Sequence, residues 1–311
     1  MSPLLRAPTV WVAERPIVRT FVTEHPVLRS VANRFVAGDS LEDGMAAARS
    51  LRERGIATML DHLGENVTNP AQAAAAADGY IRALKRIRES PELDCNISVK
   101  LTQLGLDTST ETCWENIERV LQVASEAEPP TLVMIDMEAR EYVDRTLDVY
   151  LALRERYANV GVCLQSYLHR TAADAMRLAG EGAVVRMAKG AYLEPPEVAF
   201  SARRDVRRSY ARLAATLLLR GSTVHVATHD PALIEGARRF VRRHGTPRAR
   251  HEFQMLYGIR RDLQTQLVRA GEPVRVYVPY GTEWYPYLTR RLAERPANMW
   301  FFTSQLVRAG G

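Results

Sequence analysis

The chain has 311 residues, 46% of them hydrophobic and 25% charged, with a formal net charge of +6. That balance excludes a mainly disordered polymer, and no apolar run reaches the ~18 residues of a membrane span. Cys95, Cys113 and Cys163 are too few and too scattered for a disulfide frame or a zinc site, so a cytosolic setting is expected.

The opening MSPLLRAPTVWVAERP has no charged start followed by a long apolar stretch, so no signal peptide is expected. The basic residues are dispersed in short groups such as Arg203-Arg204 and Arg242-Arg243, without interleaved aromatics. They read as a solvated surface rather than a nucleic-acid stripe. Weak attraction to an anionic membrane surface is the alternative reading. Only three of the 42 basic residues are lysine: Lys85, Lys100 and Lys189. A lysine offers a compact charge that arginine cannot imitate, so these positions are informative. Lys85 sits in a helical pattern and reads as surface.

Residues 1–39 read as a lead-in of short helices, and 40–311 as the main domain. Residues 40–54 predict a capped helix, with Ser40 at the N-cap and Asp43 three residues on. A repeating pattern then begins, in which a short apolar run is followed by a polar turn and an amphipathic stretch. The predicted strands are Ile56–Leu60, Ile97–Leu101, Leu132–Ile135, Gly161–Leu164, Val184–Met187, Thr223–Ala227, His251–Met255 and Val274–Val278. The predicted helices cover about 70–90, 113–128, 140–156, 170–180, 196–220, 231–244, 260–271 and 285–295. Eight such units predict a parallel (β/α)8 barrel of the TIM type. An open doubly wound sheet is the alternative.

In such a barrel the active site forms at the C-terminal ends of the strands. Those ends carry Asp61-His62, Lys100, Asp136-Met137-Glu138, Gln165, Arg186 with Lys189-Gly190-Ala191-Tyr192, Thr228-His229-Asp230, Gln254 with Leu256-Tyr257-Gly258, and Tyr277 with Tyr280-Gly281. Any one of them has a plain structural reading; Asp230 before Pro231 fits an N-cap with proline at N1. Polar groups at all eight ends are harder to explain that way. Lys100, Lys189 and Arg186 would make the mouth positive. In the last helix Arg290 and Arg291 are about 100° apart and can flank one anion. Glu294 is within reach of both, and Tyr287 lies on the side of Arg290. The site therefore suits an anionic small molecule such as a carboxylate. Asp136, Glu138, His62 and His229 could instead ligate a divalent metal. No GxGxxG follows a strand, so a Rossmann dinucleotide site is not supported.

The segments SVKLTQLG, IDME, LQSYLHRT, RMAKGAY, ATHD, EFQMLYG, VYVPYG and YLTRRLAERPAN resemble the proline dehydrogenases in content and order. The likeness covers roughly residues 40 to 300, and RMAKGAY and YLTRRLAE are its specific parts. It implies a distorted barrel of the monofunctional bacterial form, without the aldehyde dehydrogenase or DNA-binding modules of bifunctional relatives. It also implies FAD-dependent oxidation of L-proline to Δ1-pyrroline-5-carboxylate, with electrons passed to a membrane quinone. By that resemblance Lys100, Arg290 and Arg291 hold the substrate carboxylate, and Glu294 braces the arginines. Tyr277, Tyr287, Tyr192 and Leu256 wall the ring. Asp136 orients the cations, and Arg186 lies against the flavin. Met137, Gln165, Lys189, Gly190, Ala191, Thr228 and His229 contact FAD, with no metal involved. A tyrosine at position 287 accompanies proline, and a smaller residue hydroxyproline. The expected partners are a quinone and a separate pyrroline-5-carboxylate dehydrogenase. The expected location is the cytoplasm, with peripheral contact at the inner face of the cell membrane. The pair Asp61-His62 receives no role from the resemblance.

Overall fold

Short β-branched runs and amphipathic helices alternate along the chain, and in the computed structural model they close into one barrel. The structure describes residues 32–64, 67–192 and 194–294, with side chains of the last helix described as far as Thr289. In chain order the elements are α1 (Leu41–Arg52), β1 (Ala57–His62), α2 (Pro70–Arg88), β2 (Cys95–Val99), α3 (Thr110–Ser125), β3 (Val133–Ile135), α4 (Val143–Arg154) and β4 (Val160–Gln165). They continue with α5 (Thr171–Leu178), β5 (Val184–Ala188), α6 (Arg203–Leu219), β6 (Thr223–Ala227), α7 (Pro231–Arg243), β7 (His251–Leu256), α8 (Arg261–Arg269), β8 (Val274–Tyr280) and α9 (Trp284–Glu294). All neighbouring strands pair parallel, and β1 closes on β8 from Ala57↔Arg275 to His62↔Tyr280. The (β/α)8 reading holds, and the closed ring removes the open sheet.

Side chains alternate along each strand, and the two faces differ in chemistry. Ile97, Val133, Val162, Val185, Val224, Phe253 and Val276 belong to the main apolar core with the helices. Residues that alternate with them, among them Ser98, Arg186, Gln254 and His225, hydrogen-bond one to the next inside the barrel, and Arg275 joins them through Glu252. Full burial of a side chain such as Ile97 contributes roughly 1.5–3 kcal/mol, so the outer layer stabilises the ring. The polar interior is held by hydrogen bonds and charge pairing instead.

The helix starts follow local chemistry. Ser40 and Asp43 form a reciprocal capping box at α1, with the Asp43 N–H donating to Ser40 Oγ at 3.2 Å and the Ser40 N–H to the Asp43 carboxylate at 2.9 Å. Asp230 caps α7 by accepting from the Ala232 N–H at 3.1 Å, with Pro231 in the first turn.

Several boundaries differ from expectation, and three differences bear on the site. β2 ends at Val99, because the chain turns at Lys100, whose carbonyl accepts from the Leu104 N–H at 3.2 Å. Lys100 thus starts the loop over the mouth. α6 begins at Arg203, well after residue 196. Pro195 and Pro196 supply no N–H, and Ala199 instead bridges to Leu168. Of the expected lead-in, residues 1–31 lie outside the described residues. Its described end turns at Ala32–Val36, and the Ala37 N–H donates to the Pro279 carbonyl at 2.9 Å. Phe35 and Val36 pack with Leu63, Trp284, Tyr285, Tyr287 and Leu288. Gly258, with φ 73°, brings the loop after β7 against the Arg34 carbonyl, where any Cβ would collide.

Candidate active site

Asp136, just past β3, is the centre of the barrel mouth. Its Oδ1 accepts from Ser98 Oγ at 2.8 Å, and its Oδ2 accepts from the Tyr277 hydroxyl at 2.8 Å. The Arg186 guanidinium also donates to Oδ1, and Lys100 Nζ lies 3.7 Å from Oδ2. Strands β2, β5 and β8 thus converge on one carboxylate. Burial works against its charge, but Arg186 first, then Lys100, Tyr277 and Ser98, outweigh it and hold the carboxyl below its ordinary range. Asp136 is therefore an anion at neutral pH and a fixed acceptor.

Lys100 is buried and donates to Asp61 Oδ1 at 2.7 Å. Burial disfavours its charge, but Asp61 and Asp136 more than compensate and keep the ammonium well above the ordinary lysine range. Arg186 also donates from Nε to Gln254 Oε1 at 2.7 Å and from Nη1 to Ser98 Oγ at 3.0 Å, and it touches Met59. Its charged carbon sits 5.2 Å from the Tyr277 ring centroid. Burial pushes the Tyr277 hydroxyl well up, as does the neighbouring Asp136 charge, so it stays a donor.

Below this cluster the polar chain continues. Gln254 Nε2 donates to His225 Nδ1 at 2.9 Å and to Glu252 Oε1 at 2.6 Å. Arg275 donates to the same Glu252 oxygen at 3.0 Å and to the Thr58 carbonyl at 2.9 Å. Burial drives His225 down to about 4, so its imidazole is neutral.

A second group lines the rim over β4 to β7. Gln165 donates from Nε2 to the Met137 carbonyl at 3.0 Å and the Glu138 carbonyl at 3.1 Å, while its Oε1 is buried with no partner among the described residues. Glu138 accepts from Thr102 Oγ1 at 2.6 Å, and burial pushes its carboxyl upward. Lys189 and Arg207 both reach Asp230 Oδ2, at 2.7 and 2.6 Å. Burial opposes the Asp230 charge, but those two cations hold its carboxyl at about 2. Gly190 follows with φ 114°, and the Tyr167 ring occupies the space a Cβ would need. Ala191 and Tyr192 are half-buried beyond it. The Asp230 N–H donates to Thr228 Oγ1 at 3.2 Å, and His229 Nε2 accepts from the Leu256 N–H at 3.0 Å, which leaves the proton of a neutral imidazole on Nδ1.

The structure therefore brings Lys100, Asp136, Arg186 and Tyr277 into one cluster, with Arg186 and Tyr277 hydrogen-bonded to Asp136 and Lys100 ion-paired with it at 3.7 Å. Leu256 is the register partner of Tyr277, and Tyr277 packs against the apolar cluster that holds Tyr287. Arg290, Arg291 and Glu294 belong to α9, but their side chains lie outside the described residues. Among the described residues no three His, Cys, Asp or Glu side chains gather as metal ligands, so the metal alternative gains no geometric support. Sequence reasoning missed Asp61, Ser98, His225, Glu252 and Arg275 as parts of the polar interior. For Glu252 and Arg275 the signal is the polar residue at every second position of β7 and β8.

Fold and site together define a (β/α)8 enzyme with a charged, hydrogen-bonded mouth. The model of the family described as proline dehydrogenase matches residues 45–304. The proline dehydrogenase of Deinococcus radiodurans is 38% identical over 313 residues, covering 99% of both chains. Proline dehydrogenase 2 of Bacillus subtilis is 37% identical over 273 residues, covering 88% of this chain and 89% of its own. Among solved structures, proline utilization A from Bdellovibrio bacteriovorus, inactivated by N-propargylglycine, superposes with a TM-score of 0.79 at 23% identity. That match covers 86% of this chain but only 33% of the solved chain, so this chain spans about a third of that larger protein. The chain belongs to the proline dehydrogenase family.

Proposed function

We propose that the chain oxidises L-proline to Δ1-pyrroline-5-carboxylate with FAD as cofactor. The observation that carries this reading is the Asp136 cluster, which places two cations and a tyrosine on one carboxylate inside a barrel of this family. Lys100, Arg290 and Arg291 hold the proline carboxylate, with Glu294 bracing the arginines. Tyr277, Tyr287, Tyr192 and Leu256 wall the ring. Asp136 fixes Lys100 and Arg186, so the substrate meets a preorganised surface. The cations also favour the neutral substrate amine, since like charges lower its pKa. The C5–H electron pair leaves as hydride and the N–H proton goes to solvent, which leaves a C=N bond.

One feature of the rim supports a flavin there: the Gln165 carbonyl oxygen is buried without a partner among the described residues. Met137, Gln165, Lys189, Gly190, Ala191, Thr228 and His229 would hold FAD, with Arg186 against the ring system. When bound, FAD supplies the hydride acceptor at N5. The electrons then go to a membrane quinone, and the product to a separate pyrroline-5-carboxylate dehydrogenase. Among the described residues no helix is long and apolar enough to cross a membrane. We place the enzyme in the cytoplasm, in peripheral contact with the inner face of the cell membrane. We take 40–311 as its catalytic domain and 1–39 as a lead-in.

The test is a visible spectrum of the purified protein before and after L-proline without oxygen. Flavin absorbance that bleaches on proline supports the proposal. A colourless protein that stays unresponsive after added FAD overturns it.

A further inference from the structure

Asp61 is fully buried at the end of β1, and its carboxylate donates nothing and accepts from Lys100 Nζ at 2.7 Å. Its other oxygen is buried with no partner among the described residues. Lys100 is thus the only hydrogen-bond partner of this side chain among them. The second carboxylate near Lys100, that of Asp136, lies a full ångström farther away at 3.7 Å and is already engaged by Arg186, Ser98 and Tyr277. A buried ammonium needs a dedicated counter-charge or it loses its proton. We propose that Asp61 is a positioning residue that keeps Lys100 charged and aimed at the mouth, through their buried ion pair. This rests on the reading of Lys100 as a carboxylate ligand.

The other groups around Lys100 cannot replace Asp61. His62 on β1 is half-buried and Tyr80 on α2 buried beside the pair, and burial lowers the imidazole's pKa and keeps the phenol protonated. Glu138 is pushed up by burial and is engaged by Thr102. Arg186 on β5 and Tyr277 on β8 face Lys100 across Asp136, and both bind that carboxylate. Asp61 exposes no surface for a substrate to touch. Its role is therefore to set the charge and place of Nζ.

The chain contains only three lysines, so lysine-selective carbon-13 labelling gives three ε-methylene signals, each next to its Nζ. In the native protein the Lys100 signal should stay that of an ammonium beyond the ordinary 10.5. In Asp61→Asn it should titrate at lower pH. The KM for proline, relative to native, should then rise with pH, reaching roughly tenfold to a hundredfold once Lys100 is neutral. A merely structural role changes KM by a factor that does not vary with pH. An unmoved Lys100 titration with a pH-independent KM ratio overturns the proposal. Lys100→Gln separates the two readings. If that variant leaves the KM for proline unchanged, the carboxylate-ligand reading fails, while the Lys100 titration still decides whether Asp61 holds its proton. If Asp61→Asn does not fold, the double variant Asp61→Asn/Lys100→Gln is compared with Lys100→Gln by thermal unfolding. Lys100→Gln strands the Asp61 carboxylate, so the double variant should be at least as stable; a less stable double variant overturns the pairing.

Discussion

Arg186 donates from Nε to the Gln254 amide oxygen at 2.7 Å, and this bond joins the mouth of the barrel to its floor. The nitrogen end of the same amide donates to His225 and Glu252, so the orientation of Gln254 is fixed from below. Gln254→Leu keeps the volume but leaves Arg186 Nε and His225 Nδ1 without partners. Unsatisfied buried groups cost about 1–3 kcal/mol each. Urea unfolding should show a loss of at least about 2 kcal/mol. The kcat/KM for proline should fall at least tenfold as Arg186 loses its orientation. An unchanged unfolding midpoint would remove Gln254 from the support of Arg186.

The same floor predicts an acid weakness. Burial lowers His225 from its ordinary 6.5 to about 4, so the unfolded chain binds this proton first as pH falls. Stability should therefore drop between pH 6.5 and 4, by a few kcal/mol. Burial opposes the Glu252 charge, but Arg275 and His225 bring the carboxyl from its ordinary 4.5 to about 2. Its stabilisation is complete above pH 4.5 and is lost as pH falls toward 2. His225→Gln should flatten the first window and narrow the second, because Glu252 loses one of its two lowering charges and keeps Arg275. Urea titrations at half-unit pH steps check this, and an equally steep loss in His225→Gln would contradict it.

Much of this arrangement was legible in the sequence. Eight strand-to-helix units gave the barrel, and the scarcity of lysine marked Lys100. The strand ends named Asp136, Arg186 and Tyr277, which meet. What spacing could not give was pairing across the barrel. Asp61 lies on β1 and Lys100 in the loop after β2, and nothing local in Asp61-His62 marks the first residue as a counter-ion. The polar floor was visible as alternation in Glu252-Phe253-Gln254 and Arg275-Val276-Tyr277, but reading those runs as two-sided apolar strands hid it. Lys189 reads in the sequence as a cation of the rim; its ion pair with Asp230 also ties the end of β5 to the start of α7.

Gly190 tests the rim. Its φ of 114° strains any L side chain, and the Tyr167 ring fills the Cβ space. Gly190→Ala should cost about 1–3 kcal/mol of stability and lower the flavin bound per chain. Thermal unfolding and the visible spectrum of the purified variant measure both. Full flavin content with an unchanged Tm would remove this loop from the flavin site.

Arg291 tests the carboxylate clamp. Charge-assisted contacts contribute ~1.5–3 kcal/mol, so Arg291→Met should raise the KM for proline by tens-fold or more. The effect should fall on KM more than on kcat if the contact is equal in ground and transition states. An unchanged KM would sink the assignment.

Tyr287 tests substrate choice. It is 5% exposed and packs with Leu63, Trp284 and Leu288, in the cluster against which Tyr277 also packs. A large buried ring at that place leaves little room for an added hydroxyl on the substrate. The native chain should therefore show a higher kcat/KM for proline than for hydroxyproline. Tyr287→Ser should narrow the ratio in two ways, by admitting the hydroxyl and by loosening the fit around proline. Truncating a buried aromatic costs about 3–5 kcal/mol of stability, so the variant is first checked for folding by its thermal transition. A native preference for hydroxyproline would refute the assignment. An unaltered ratio in a folded Tyr287→Ser protein would instead move the selecting contact to another wall of the ring, with Tyr277 and Leu256 next to be replaced.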